Sequence, residues 1–315
     1  MKLPEPKTPA VSVVIPAYNY AQFLPRAIDS VLGQTYADLE CIVVDDGSTD
    51  HTPAVLAAIT DPRLHVVRQE NGGLSRARNA GVRVARAEFV AFLDADDCWR
   101  AEFLERAFLE LKALPEHGAV ATASARMDAH GAIVEGSRFS FGKTGDLTFR
   151  DFCLRNRPLA SSIVLRRRAL VDSGDFDESL RSSEDRDYWL RLTGRGWKFR
   201  FLDIPLAVLR RHDSNMSKAA ARMEANSHEV LARAQRAGVI AAHSPFWRKV
   251  NSVRLLQSAR AFSGQGEPVK AVGLLFRSLV AWPWFSMPAE ISERPLFRAR
   301  LLARMVLDCC RGKKG

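Results

Sequence analysis

The chain has 315 residues, 47% of them hydrophobic and 26% charged. That balance excludes a disordered polar chain and provides a core for one large domain with an accessory segment, or for two modest domains. The formal net charge of +10 sits at one end: residues 221–315 carry 16 Lys/Arg against 6 Asp/Glu, and the residues before them are neutral.

In chain order, VSVVIP (11–16) is a β-branched run that reads as a buried strand ended by a proline. Phe23, Leu24, Ala27, Ile28, Val31 and Leu32 then recur at helical spacing. LECIVVDDGSTD (39–50) predicts a second strand running into a turn, and RLHVVRQ (63–69) a third. NGGLSRARNAGVRVA (71–85) is a glycine turn entering a helix, and EFVAFLDADD (88–97) a strand with acidic residues at its exit, before a helical run from Trp99 to Leu111. AVATASARM (119–127) and ASSIVLRRR (160–168) read as further strands, DYWLRLTGRG (187–196) as a helix closed by Gly194, and FRFLDIPLAVLRRH (199–212) as an extended segment. From about residue 219 the pattern is helical, with breaks near Gly264–Pro268 and in 283–295. Alternating strands and helices predict an α/β fold with a mostly parallel central sheet, whose ligands gather at the carboxyl ends of the strands.

FLDADD carries Asp94, Asp96 and Asp97 within four positions, a crowding of carboxylates that is unfavourable unless a cation or donors compensate it. Alternate residues leaving a strand point the same way, so Asp94 and Asp96 can face one ligand, while Asp97 can equally cap the helix that follows. VVDDGSTD offers Asp45, Asp46 and Asp50 at a second strand end, suited to a ribose hydroxyl or a base N–H; Ser48 or Thr49 there also reads as a helix N-cap. Arg76 and Arg78 follow a glycine turn, where an arginine can grip a diphosphate or lie solvated on the helix. Glu184 and Asp185 precede an aromatic-rich helix and suit either its dipole or general-base work. His212 closes the last extended run.

Taken in this order, VSVVIPAYNY, DSVLGQTYADLECIVVDDGSTD, NGGLSRARNAG, FLDADD, SSEDRDYWLRL and RRHDSNMS resemble the family 2 glycosyltransferases of the GT-A fold, over roughly residues 10–217. The resemblance implies a Rossmann-like sheet flanked by helices, with a catalytic domain at 1–218 and a basic helical C-terminal extension at 219–315. Within the catalytic domain, about 10–115 would bind the nucleotide sugar and about 116–218 the acceptor. It implies that Pro16, Ala17 and Tyr18 line the base pocket, that Asp45 or Asp46 reads the base, and that Arg78, Asp94 and Ala95 support the donor. Asp96 and His212 would hold a divalent metal, Mn²⁺ or Mg²⁺, with Asp185 as the base, Glu184 as its acidic neighbour and Trp189 near the acceptor sugar. The implied reaction is an inverting, single-sugar transfer from a nucleotide sugar, UDP foremost, to a glycan or lipid-linked acceptor such as a growing cell-surface polysaccharide. SSED departs from the family pattern in lacking the glycine often found before the acidic pair, and no Q-x-x-R-W processivity motif occurs.

FLDADD also resembles the start of haloacid-dehalogenase phosphatases, but here it lies far from the N-terminus, and that reading accounts for neither VVDDGSTD nor the Glu184-Asp185 helix. A dinucleotide-binding enzyme would need glycines that AYNYAQF lacks. A catalytically inactive relative that binds carbohydrate or membrane is the other alternative. The five cysteines form no CxxC pair, which argues against a disulfide framework and fits a reducing compartment. No apolar h-region follows Met1, and the longest apolar region, near 271–287, is broken by Arg277 and Pro283. The expected location is cytoplasmic, with the basic tail and its helix-like 296–315 segment able to meet an anionic membrane surface from the inner side. No nucleic-acid partner is expected, and the sequence sets neither the sugar, the linkage nor the oligomeric state.

Overall fold

A computed structural model of the protein describes residues 8–142, 144–155, 157–212, 219–283, 298 and 301–306. Two compact units divide the chain: residues up to Phe149 with Arg157–His212, and Arg150–Asn156 with the chain from Asp213 onward.

The first unit is built on a ten-stranded sheet. β1 (Val11–Ala17), β2 (Leu39–Asp45), β3 (Leu64–Arg68) and β4 (Phe89–Phe92) run parallel in the order β3-β2-β1-β4. β1 and β2 are buried at every position, as strands covered on both faces by helices must be. The covering helices are α1 (Leu24–Leu32), which buries Leu24, Ala27, Ile28 and Val31, the short α2 (Thr52–Ala57), and α3 (Leu74–Val84). The α3 helix packs close to β1 because Ala77, Ala80 and Gly81 face it; a Cβ on Gly81 would come within 2.3 Å of Val14 Cγ1. Gly81→Ala should therefore cost about 1–3 kcal/mol of stability through overpacking, read as a lower urea midpoint; an unchanged midpoint would mean that Val14 moves aside freely.

Beyond β4 the sheet continues as β9-β6-β10-β5, with β7 on β6 and β8 on β10. Here β5 is Cys98–Trp99, β6 His117–Met127, β7 Ile133–Phe139, β8 Gly145–Leu147, β9 Ile163–Arg166 and β10 Lys198–Arg210. The expected mostly parallel α/β sheet is present, with β9 inserted antiparallel between β4 and β6. α4 (Phe103–Ala113) starts later than the sequence predicts, because Cys98 and Trp99 pair with Val208 and Ala207 of β10. Residues 160–168 hold a one-turn 3₁₀ segment, then β9, then the start of α6 (Arg167–Ser173), whose first two residues the sequence pattern places in the strand. α7 (Glu184–Gly194) begins earlier than expected and takes both acidic residues into its first turn.

The second unit contains α5 (Phe149–Leu154, from Arg150 onward), α8 (Ala220–Arg236), α9 (Pro245–Gly264) and α10 (Pro268–Ala281). Ser244 caps α9 by accepting from Trp247 N, and Pro245 occupies the first turn, where a missing N–H costs nothing. α9 and α10 are joined across a buried Ser252–Ser278 pair, whose small side chains let the two helices approach. The Arg150 guanidinium over the Phe246 ring helps bring α5 into this unit. No helix among the described residues is long and apolar enough to cross a membrane. Most of the 283–295 break, the DSNMS run at 213–217, Cys309, Cys310 and Arg311 lie outside the described residues.

Candidate functional site

The site forms where β1, β2 and β4 end, as the switch-point rule for open α/β sheets requires. The loops leaving β1 and β2 are stapled together. Asn19, in the left-handed region at φ 58°, accepts Thr49 N at 2.8 Å and Asp50 N at 3.3 Å, while its own N–H donates to Ser48 Oγ at 3.0 Å. Ser48 and Thr49 thus hold the turn and do not cap α2, whose flanking residue is His51. Pro16 and Ala17 are buried at the end of β1, and Ala17 O accepts Asp46 N at 2.8 Å. Tyr18 is 43% exposed on the rim.

The two neighbouring aspartates at the end of β2, Asp45 and Asp46, have separate duties. Asp46 accepts from Gly72 N at 3.0 Å, Gly73 N at 2.8 Å and Gln69 Nε2 at 2.7 Å, which fixes the entry to α3. Gly73 needs its own residue type, since its φ is 90°. Asp45 accepts Ser48 N at 2.8 Å and stands 3.6 Å from the Nε of the exposed Arg68, so of the pair it is the one with an oxygen turned to a surface cation.

At the exit of β4, Arg78 ties the two halves of the site together. Its Nη2 donates to Asp94 Oδ1 at 2.7 Å and its Nη1 to Glu184 Oε1 at 2.9 Å, with the side chain only 2% exposed. Burial works against its charge, yet Asp94 and Glu184 hold its pKa above the ordinary arginine value. Beside it, Asn79 pairs with the Phe176 backbone in both directions at 2.9 Å, which locks α3 to the segment leading into α7. Asp94 N donates to Ser161 Oγ at 3.1 Å, and Ala95 is buried. Arg76 is exposed, as its helical position allows.

Asp96 and His212, far apart in sequence, meet at 2.8 Å between Nε2 and Oδ2. The imidazole stacks on Phe23 with centroids 5.1 Å apart, and Tyr20 meets it edge-on. Burial, then the Asp94 charge, raises the Asp96 pKa, while His212 opposes the shift. Asp97 does not cap a helix. It accepts Arg210 N at 2.9 Å, and burial with the charges of Asp96 and Asp94 pushes its pKa well up. A divalent cation would relieve this repulsion, and a carboxylate with an imidazole suits Mn²⁺ or Mg²⁺ when donor phosphates supply further oxygens. Among the described residues no three His, Cys, Asp or Glu side chains gather as a metal cage.

Asp185 is buried in the first turn of α7. Its Oδ1 accepts Arg186 N at 2.7 Å, which leaves Oδ2 for other chemistry. Burial, then the neighbouring Glu184 charge, pushes its pKa up to about 7, against the pull of Arg78. Ser183, just before the pair, lies at φ 62°. That left-handed geometry is the one a glycine adopts freely, so the serine accepts the same turn at some conformational cost. Trp189 lies beneath the site and not on it: it is 0% exposed, packs against Tyr188 and Phe199, and donates its indole N–H to Pro158 O at 3.1 Å. With no open face, it is not assigned to the acceptor. Sequence reasoning missed Asn19, Asn79 and Ser161, short polar residues whose hydrogen-bond partners are distant in the chain.

The family model described as Glycosyl transferase family 2 matches residues 12–173. The hyaluronan synthase of Pasteurella multocida is 30% identical over 231 residues, covering 71% of this chain and 23% of that one. The first curated relatives are matched over only about a quarter to a third of their own length. Among solved structures, S. aureus TarS 1–349 in complex with UDP-GlcNAc superposes with a TM-score of 0.55 at 19% identity, covering 87% of this chain and 89% of that one. The mannosyltransferase PcManGT from Pyrobaculum calidifontis, in complex with GDP-Man and Mn²⁺, gives 0.60 at 20% identity, covering 96% and 86%. At these identities the structures show a shared GT-A fold.

Proposed function

The chain belongs to glycosyl transferase family 2, and on that premise we propose that it transfers one sugar from a nucleotide sugar to a hydroxyl of a glycan or lipid-linked acceptor, inverting the anomeric centre. The observation that carries this reading is a buried carboxylate, Asp185, with a pKa of about 7, tied through Glu184 and Arg78 to Asp94 at the donor end of the sheet.

Asp45, Arg78 and Asp94 hold and orient the donor, with Tyr18 at the base. Asp185 Oδ2 takes the proton of the acceptor hydroxyl as that oxygen attacks the anomeric carbon from the face opposite the leaving diphosphate. The C–O bond to the diphosphate breaks as the new one forms, so no covalent intermediate on the protein is needed. Asp96 and His212 would hold a divalent cation, which when bound neutralises the charge that develops on the leaving diphosphate. UDP is the proposed nucleotide. The UDP-GlcNAc held by one structural neighbour and the GDP-Man and Mn²⁺ held by another support a donor and a cation of these classes.

Turnover of a panel of UDP-, dTDP- and GDP-sugars, with and without Mn²⁺, tests the reading. Asp96→Ala should abolish Mn²⁺-stimulated turnover and lower nucleotide affinity in Mn²⁺ by about tenfold or more. Glycan binding with no turnover of any donor would favour an inactive binding protein instead.

A further inference from the structure

Three arginines of the first unit take no part in the site described so far. Arg126 lies on β6 in register with Leu209 of β10, and Arg211 extends β10 by donating its N–H to Met127 O at 3.0 Å. Registered residues, and every second residue along a strand, share a face of the sheet. Arg126, Leu209 and Arg211 therefore point one way, while Ala125, Met127 and Val208 pack with Cys98 on the other. β7 adds Phe139, opposite Ser124, to the arginines' face, and the Arg157 guanidinium carbon stands 4.6 Å from the centroid of that ring.

Among the described residues no carboxylate comes within ion-pair distance of these three side chains. Arg126 and Arg157 are partly buried and Arg211 is exposed at the edge of the cluster; by contrast the buried Arg78 is paired with Asp94 and Glu184, and Arg254 with Glu224. Burial and then the charge of Arg126 bring the pKa of Arg157 down to about 10, and burial and then Arg211 lower that of Arg126. Asp185 and Asp97 act on Arg157 in the opposite sense. Guanidinium groups gathered on one face without a counter-ion are unfavourable until an anion completes them. Their forked donors fit the oxygens of a carboxylate or phosphate.

The donor end of the site is built from the carboxyl ends of β1, β2 and β4. Arg126 and Arg157 come instead from β6 and the segment leading to β9, where Pro158 O, next to Arg157, accepts the Trp189 indole N–H of α7, the helix that carries Asp185, at 3.1 Å. A ligand that touches both these arginines and Asp185 is the one whose hydroxyl Asp185 deprotonates. We propose that Arg126, Arg157 and Arg211 form an anion subsite for the acceptor, which is accordingly an acidic glycan bearing a carboxylate or phosphate close to the hydroxyl that receives the sugar. The identification of the ligand as acceptor rests on the transferase reading, whereas the binding of an acidic sugar does not.

Titration calorimetry on the full chain, with methyl β-D-glucuronide, glucose 6-phosphate and methyl β-D-glucoside, tests this and separates a carboxylate from a phosphate. At least one acidic sugar should bind about tenfold or more tighter than the neutral glucoside. Arg157→Gln and Arg126→Gln should each remove most of that preference, with UDP affinity in Mn²⁺ kept within about twofold of the unsubstituted protein. Equal binding of all three sugars would overturn the proposal, as would a preference that survives in the double variant. Displacement of the acidic sugar by UDP would also overturn it, because the arginines would then serve the donor diphosphate. An arginine-dependent preference in a protein that turns over no nucleotide sugar would keep the subsite and remove the transferase reading.

Discussion

Asp185→Asn should lower kcat with a nucleotide-sugar donor by about 10²–10⁴-fold, the contribution expected of a general base, with the KM for the donor little changed. The amide keeps the shape of the side chain and can still accept Arg186 N through Oδ1, but it cannot take a proton from the acceptor. In the unsubstituted protein the base must be ionised, so kcat/KM should rise with pH and level off above about 7, where burial and Glu184 have set the Asp185 pKa. The variant should lose this rising limb along with the rate. Stability gives a second readout with a fixed sign. Between the unfolded aspartate value of about 4 and the folded value of about 7, the native state holds a proton that the unfolded chain has lost. Stability contributed by this group therefore falls as pH rises through that window, and Asp185→Asn should flatten the fall. Full turnover in the variant would remove Asp185 as the base.

Strand positions were legible in the sequence wherever β-branched runs end in polar clusters, which is why β1, β2 and β4 fall where the pattern puts them. The acidic clusters were legible as polar strand ends, but which carboxylates hold the turns was not, since Asp46 and Asp97 are taken up by backbone N–H groups distant in the chain. Asp97 misled because the competing claim on it comes from β10, more than a hundred residues away, whose Arg210 N–H it accepts. Trp189 misled in a different way. An aromatic residue beside an acidic pair suits a sugar, but the phase of α7 turns this one inward onto Tyr188 and Phe199. The antiparallel insertion of β9 left no mark on its own sequence, since a buried strand of either direction reads as the same apolar run. Arg126 and Arg157 look like solvated surface arginines until the sheet register brings them onto one face.

Arg78 joins these levels, and its replacement should have the broadest consequence. Arg78→Met keeps the length and apolar stem but leaves Asp94 and Glu184 facing each other without the cation that holds both. Removing one partner of a buried ion pair strands the other charges, at a cost of about 3–5 kcal/mol, readable as a lower urea midpoint at pH 8. The loss should shrink as pH falls and the stranded carboxylates become protonated. Arg78→Lys should recover only part of it, because an ammonium cannot present the two separated donors that reach Asp94 and Glu184 together. Activity should change in a way that a merely structural loss would not produce. Arg78 opposes the upward shift of the Asp185 pKa, so the rising limb of kcat/KM in whatever folded Arg78→Met remains should move to higher pH than in the unsubstituted protein. A limb that stays in place while stability drops would confine Arg78 to holding the fold. A limb that moves would show that the bridge between the donor end and α7 also sets the proton affinity of the base.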